Sequence, residues 1–376
     1  ENGTFALRYA QKDPARAGEQ FYRMSKAQSL AQFKQALDMQ AISMFNFAFA
    51  DKTDNIYYIF NANLPKRLPG YDYTQPLPGD SSRLIWDEYY RREELPQVEN
   101  PNCGYVYNTN NTPYHTSCTA EAAEKSLPEN TGIHKNPVNE RDLRVRELMT
   151  LHDGQTWSRE ALWALKYDNL PPTESPLMMH YNAAFEAMSD SIPAELQPIW
   201  PKLSVWDGVL NAGDSTDAFH LLTLYRLNRY GIDPEKSDSI SPNVMRAAMI
   251  GAKRILEGRF DAVFIPIERL VQLCRGEVCA PVYGAPDKLR AFGFPKWDVE
   301  QERTYLNYGD SYVAFAEYDE RGLQSLKTIM PFGASLDSES PHYNDQLRMA
   351  ANRELKQVEL NRKRLEAKAE RVYSPK

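Results

Sequence analysis

Several signatures that would settle a function quickly are missing from this chain. It has no P-loop to cradle a nucleotide phosphate and no Gly-x-Gly-x-x-Gly turn for a dinucleotide. It has no His-Glu-x-x-His helix for zinc and no Gly-x-Ser-x-Gly elbow for a serine nucleophile. Its six histidines are scattered. No apolar run approaches the roughly 18 residues a spanning helix needs. There is no internal repeat, no low-complexity segment and no secretory leader at the start. Glu1-Asn2-Gly3 replaces an initiator Met, which suggests a processed or trimmed chain. Basic charge is also short: the net charge of −7 argues against nucleic acid as the main partner.

Cysteine is scarce but suggestively placed. The four fall in two close pairs, Cys103 with Cys118 and Cys274 with Cys279. No Cys-x-x-Cys occurs, and neither pair has histidines at zinc-finger spacing. Two local disulfides in an exported protein are the preferred reading, which places the chain in the periplasm or outside the cell; four unrelated buried thiols are the alternative.

What is present is ordinary globular material: 376 residues, 42% hydrophobic and 25% charged, enough for two or three structural units. The 22 tyrosines and 25 prolines suit long ordered loops and aromatic surfaces with polar rims. The most informative stretch is 42–67, which reads as two strands and a tight turn. Phe45, Phe47 and Phe49 alternate onto one face as core. Asn46 stands on the other face, between Met44, Ala48 and Ala50. Small neighbours leave an amide room to meet a ligand, or to bond nearby backbone in a closely packed sheet. In the turn, Asp51, Asp54 and Asn55 offer hard oxygens to a cation, or simply make a turn.

Around this hairpin the chain predicts an opening strand at 4–9 and two helices, the second entered through a capping box of Ser29 and Gln32. Residues 64–116 are a proline-punctuated ordered loop region with short strands near Ile85-Trp86 and Tyr105-Val106-Tyr107. Helices are predicted at 139–151, 158–166, 178–188, 215–229 and 241–257, with Ser158 and Ser215 as N-caps. A short helix at 266–274, strands at 312–318 and 326–330, and a long polar helix from about 344 to 372 complete the chain. His342 sits in the densest polar group, as a hydrogen-bonding hub rather than a catalytic base.

The order of these pieces resembles the β-chain of the penicillin acylase family, within the N-terminal-nucleophile hydrolases. Asn46-Phe47-Ala48-Phe49-Ala50-Asp51 looks like the family's Asn-x-x-x-Ala-Asp strand. Asp54-Asn55-Ile56-Tyr57-Tyr58 stands where the family often writes Gly-Asn-Ile-Gly-Tyr. Pro65-Lys66-Arg67, Gly70-Tyr71-Asp72 and Pro78-Gly79 look like its Pro-x-Arg, Gly-x-Asp and Pro-Gly signposts. Trp206-Asp207-Gly208, Gly309-Asp310-Ser311-Tyr312 and Ser340-Pro341-His342-Tyr343-Asn344-Asp345-Gln346 follow in order. The last of these, with Pro281-Val282-Tyr283-Gly284-Ala285-Pro286, looks most like the branch containing acyl-homoserine-lactone acylases.

The resemblance implies an α+β fold, part of a four-layer αββα sandwich. Residues 1–119 would lie in the core, 120–260 in an inserted helical subdomain, and 261–376 back in the core. It implies hydrolysis of the amide of an N-acylated small molecule by an N-terminal Ser made by self-cleavage, its own α-amino group acting as base. Asn46 maps to the side-chain oxyanion donor and Arg67 to the Arg beside it. Asp51 is the candidate ligand for a structural calcium. No Ser here matches the self-cleavage site, so the implied partners are an α-chain and the first part of the β-chain, and the chain alone is expected to be inactive. The alternative is a non-catalytic periplasmic binder of small ligands on the same scaffold.

Overall fold

The structure is a computed structural model that describes residues 3–118, 127–133, 139–152, 154–233, 239–298, 303–306, 308–369 and 371–372. It is a mixed α+β chain and divides into two compact units. One holds residues 1–137 with 318–322; the other holds 138–317 with 323–376.

The first unit is built on a three-stranded antiparallel sheet in the order β1-β2-β3: β1 (Met44–Ala50), β2 (Ile56–Ala62) and β3 (Gln97–Glu99). β1 and β2 form the expected hairpin, with Asn46 opposite Phe60 and Ala48 opposite Tyr58. Two helices pack on one face: α1 (Ala17–Lys26) and α2 (Leu30–Leu37). Leu30, Phe33 and Leu37 of α2 join Tyr57, Ile59 and Phe60 of β2 in a buried cluster. Of the three phenylalanines predicted to be core, Phe47 and Phe49 are half-buried against this cluster, whereas Phe45 is 54% exposed. β1 is the edge strand, so only β2 is covered along its whole length. Ser29 caps α2 through the Gln32 amide as expected, but the Gln32 side chain accepts from the Gln28 amide, one residue beyond the box.

Residues 4–9, Ile85-Trp86 and Tyr105-Tyr107 are not strands. The second neighbour of β2 is Gln97–Glu99, and that pairing leaves the other extended pieces without a ladder. They stay ordered through turns, an isolated bridge between Pro65 and Tyr89, and the Cys103–Cys118 disulfide.

The second unit begins with helices α3 (Glu140–Leu151), α4 (Arg159–Lys166), α5 (Pro176–Glu186), α6 (Trp200–Leu203), α7 (Asp217–Arg229) and α8 (Pro242–Phe260). Asn139, Ser158, Ser175 and Ser241 each accept an amide of the first turn. Ser215 does not cap α7. The Asp214 carboxylate takes the Thr216 amide and hydroxyl instead, and Ser215 accepts from Lys202. The central pair α7 and α8 buries Phe219, Leu222, Leu227, Met245, Met249 and Leu256, among others, in one large core.

The strands that follow are two hairpins, β4 (Gln272–Arg275) with β5 (Val278–Pro281) and β6 (Pro295–Asp298) with β7 (Arg303–Leu306), and a second three-stranded sheet. That sheet holds β8 (Val313–Asp319), β9 (Gly322–Ile329) and β10 (Lys356–Gln357). The short helix predicted at 266–274 is a single 3-10 turn, Ile267–Arg269, running into β4; the hairpin is closed by Gly276 at φ +57° and the Cys274–Cys279 disulfide. The long polar tail helix is also replaced. It breaks into α9 (Leu347–Ala351), the β10 segment and α10 (Arg362–Lys368). Arg353 turns to φ +63° after α9, and the next residues pair with β9, where backbone hydrogen bonding outweighs helix propensity.

Candidate functional site

The site is built on the exposed face of β1. Side chains alternate across a strand, so Asn46 shares its face with Ala48 and, across the pair, with Tyr58 and Phe60. Tyr58 lies diagonally from Asn46, one ladder step along β2. Its ring is 1% exposed, and its hydroxyl donates to Asn46 Oδ1 at 2.6 Å. Burial pushes the phenol's pKa up, and the neighbouring Asn108 side chain works against that rise. Asn46 itself is exposed, and its Nδ2 has no hydrogen-bond partner among the described residues. The carboxamide therefore presents a neutral donor outward while its oxygen is held from behind.

Arg67 is placed by other means. Its guanidinium lies between two rings, 4.9 Å from the centre of Tyr73 and 5.6 Å from that of Trp86. Nη1 donates to the Asn130 carbonyl at 2.8 Å, and Asn130 Nδ2 returns a bond to the Arg67 carbonyl. Nε is buried without a partner among the described residues. Among the described residues no carboxylate pairs with Arg67, which leaves its charge to meet an anion or a carbonyl. Arg67 and Asn46 do not bond each other; each is oriented by its own neighbours.

Asp51 closes the hairpin turn. Its Oδ1 accepts from the amide and hydroxyl of Thr53 and from the amide and side chain of Asn55. Burial acts to raise its pKa, and these hydrogen bonds outweigh it and hold the carboxyl below its usual range. Oδ1 is thus held by its own turn, while Oδ2 accepts from the Asn55 side chain alone among the described residues. Among the described residues, no group of three or more His, Cys, Asp or Glu is gathered for a metal. Asp54, where the family signpost has Gly, takes φ +59°, a left-handed conformation that Asp tolerates.

Sequence reasoning missed Tyr58 and Asn63. Tyr58 reads as one more β-strand aromatic. Asn63 follows β2, is 2% exposed and has neither side-chain atom partnered among the described residues. The only signal in the sequence is the repeated polar amide in Asn61-Ala62-Asn63 within an otherwise apolar strand end.

The distant signposts are structural. The Trp206 indole donates to the Asp217 carboxylate at 2.9 Å and stacks on the buried His220 at 4.4 Å. Gly208 sits at φ +79°, where a Cβ would meet Met178 Sδ at 2.6 Å. Asp310 pairs with Lys166 at 2.8 Å. The His342 carbonyl accepts from the amides of Ala334 and Ser335, and its imidazole meets Asp345 at 2.9 Å, so this histidine is indeed a hub.

A family model described as Penicillin amidase matches residues 1–367. The chain belongs to the penicillin amidase family. Penicillin G acylase of Escherichia coli is 34% identical over 88 residues, which are 23% of this chain and 10% of that protein's length. Among solved structures, a thermostable penicillin G acylase from Alcaligenes faecalis in orthorhombic form covers 96% of this chain and 72% of its own, with a TM-score of 0.57 and 17% identity. That likeness is one of fold. Both cysteine pairs, Cys103–Cys118 and Cys274–Cys279, are disulfides in the structure, and no helix among the described residues is long and apolar enough to cross a membrane.

Proposed function

We propose that this chain is part of the β-chain of an exported acylase that cleaves the amide bond of an N-acylated small molecule, of the penicillin or acyl-homoserine-lactone type. One observation supports this most. In a chain of the penicillin amidase family, the Asn46 side-chain NH2 is left outward, with no partner among the described residues, while its oxygen is tied to Tyr58.

In this reading the nucleophile is an N-terminal Ser on polypeptide outside these 376 residues. Its Oγ attacks the acyl carbonyl, forming the new C–O bond, and its proton passes to the Ser's own α-amino group. The carbonyl oxygen becomes an oxyanion and accepts from Asn46 Nδ2, a donor that adds no charge of its own. Collapse breaks the C–N bond, and the amine leaves with the proton. Water then attacks the acyl-enzyme, releasing the carboxylic acid and restoring the serine. Arg67 orients a polar group of the substrate near Asn46. Both chains together would complete the four-layer αββα sandwich, and Asp51 would contribute to a calcium ion only if other polypeptide supplied the remaining ligands.

The test is Asn46→Ala in the full-length gene product, assayed on a panel of penicillins and acyl-homoserine lactones of different chain length. The expected loss is about 100- to 1000-fold in kcat with the fold intact, typical of one oxyanion donor. Turnover near that of the unaltered protein removes Asn46 from the mechanism. Binding across the panel with no turnover by the unaltered protein supports a ligand-binding protein instead.

A further inference from the structure

Asn46 serves as a donor only if its carboxamide faces the right way. The oxygen and nitrogen of an Asn side chain are almost the same size, and a half-turn about the last torsion exchanges donor for acceptor. An exposed Asn on an edge strand has nothing of its own to choose between the two.

We propose that Tyr58 makes that choice, as a positioning residue that orients the Asn46 carboxamide from behind. This rests on the oxyanion reading above. The Tyr58 O–H reaches Asn46 Oδ1 at 2.6 Å. With Oδ1 engaged, Asn46 Nδ2 and its two hydrogens face outward.

The fold holds this donor in place. Tyr58 is 1% exposed and cannot swing away. Ala48, directly opposite it, has only a methyl group, so nothing stands between the Tyr58 hydroxyl and its diagonal neighbour Asn46.

The test uses the full-length gene product with Tyr58→Phe, Asn46→Ala and the Tyr58→Phe/Asn46→Ala pair. Tyr58→Phe keeps the ring and removes the donor. It is expected to lower kcat by about tenfold on the best substrate of the penicillin and lactone panel, with KM within about twofold. The pair should be no slower than Asn46→Ala alone, since Tyr58 acts only through Asn46. Unchanged kcat in Tyr58→Phe, or losses that multiply in the pair, overturn the proposal. A second readout is independent of turnover: the side-chain amide resonance of Asn46 in asparagine-labelled protein, identified by its loss in Asn46→Ala. It should shift or double in Tyr58→Phe, and an unmoved signal overturns the proposal. If Asn46→Ala alone keeps full activity, the oxyanion reading fails, and the amide resonance still decides whether Tyr58 orients Asn46.

Discussion

Asp217 and His220 lie one helical turn apart at the start of α7, and burial drives their titrations in opposite chemical senses. Asp217 is 1% exposed; burial pushes its carboxyl up to about 7, against the hydrogen bonds it accepts from the Asn211 amide and the Trp206 indole. Burial pushes His220 down to about 3, against a hydrogen bond to the backbone at Leu203. A carboxyl whose folded pKa is raised binds more protons folded than unfolded between its ordinary value and 7. Its contribution to stability is therefore complete below the ordinary carboxylate range and is lost as pH rises towards 7. His220 runs the other way: its contribution is present above its ordinary value and is lost as pH falls towards 3. Asp217→Asn should remove the first slope and leave the second. Thermal unfolding of both proteins from pH 4 to 7.5 checks this: the difference in Tm, unaltered minus variant, should shrink as pH rises. A difference that is flat across that range would show that Asp217 is ionised in the folded protein throughout. None of this was legible beforehand, because Asp217 reads as an ordinary first-turn acid until the indole of Trp206 closes over it.

Among the elements, the two disulfide-closed loops should differ in worth. Cys103–Cys118 spans 15 residues and Cys274–Cys279 spans 5. By chain entropy the longer loop contributes about 3 kcal/mol and the shorter about 2 kcal/mol. Cys103→Ser/Cys118→Ser should therefore lower Tm more than Cys274→Ser/Cys279→Ser, and intact mass should rise by about four hydrogens on full reduction. Equal losses would mean that native contacts, not loop length, set the cost. Elements with their own local signal were readable: Ser29 and Ser158 cap helices as expected, because a hydroxyl three residues from an amide needs no distant partner, whereas Ser215 does not. Elements defined by pairing were not. The segment Lys356–Gln357 has helix-forming neighbours on both sides, yet it becomes a strand because β9 offers it an open edge.

For the molecule as a whole, the oxyanion reading separates the stabilising donor from the nucleophile. The 376-residue chain by itself should show no hydrolysis of the substrate panel, while the full-length gene product should turn over at least one member. Normal turnover by the isolated chain would sink the proposal, since it would place a complete catalytic set within these residues. The same dependence applies to Arg67, whose uncompensated charge between Tyr73 and Trp86 has no carboxylate to meet within the described residues.

By itself the sequence determined the β1–β2 hairpin, the face on which Asn46 stands, most of the helices and the family, because strand alternation, helix caps and ordered short motifs are written in neighbouring residues. Tertiary structure decided which way the Asn46 amide points, how Asp51 spends its oxygens, and where the tail stops being a helix. Those depend on groups far apart in the chain or on competing partners of similar energy, such as Tyr58 behind Asn46 and β9 beside Lys356. Composition and periodicity cannot rank such competitors, since each differs from its rival by a single hydrogen bond of about 1 kcal/mol.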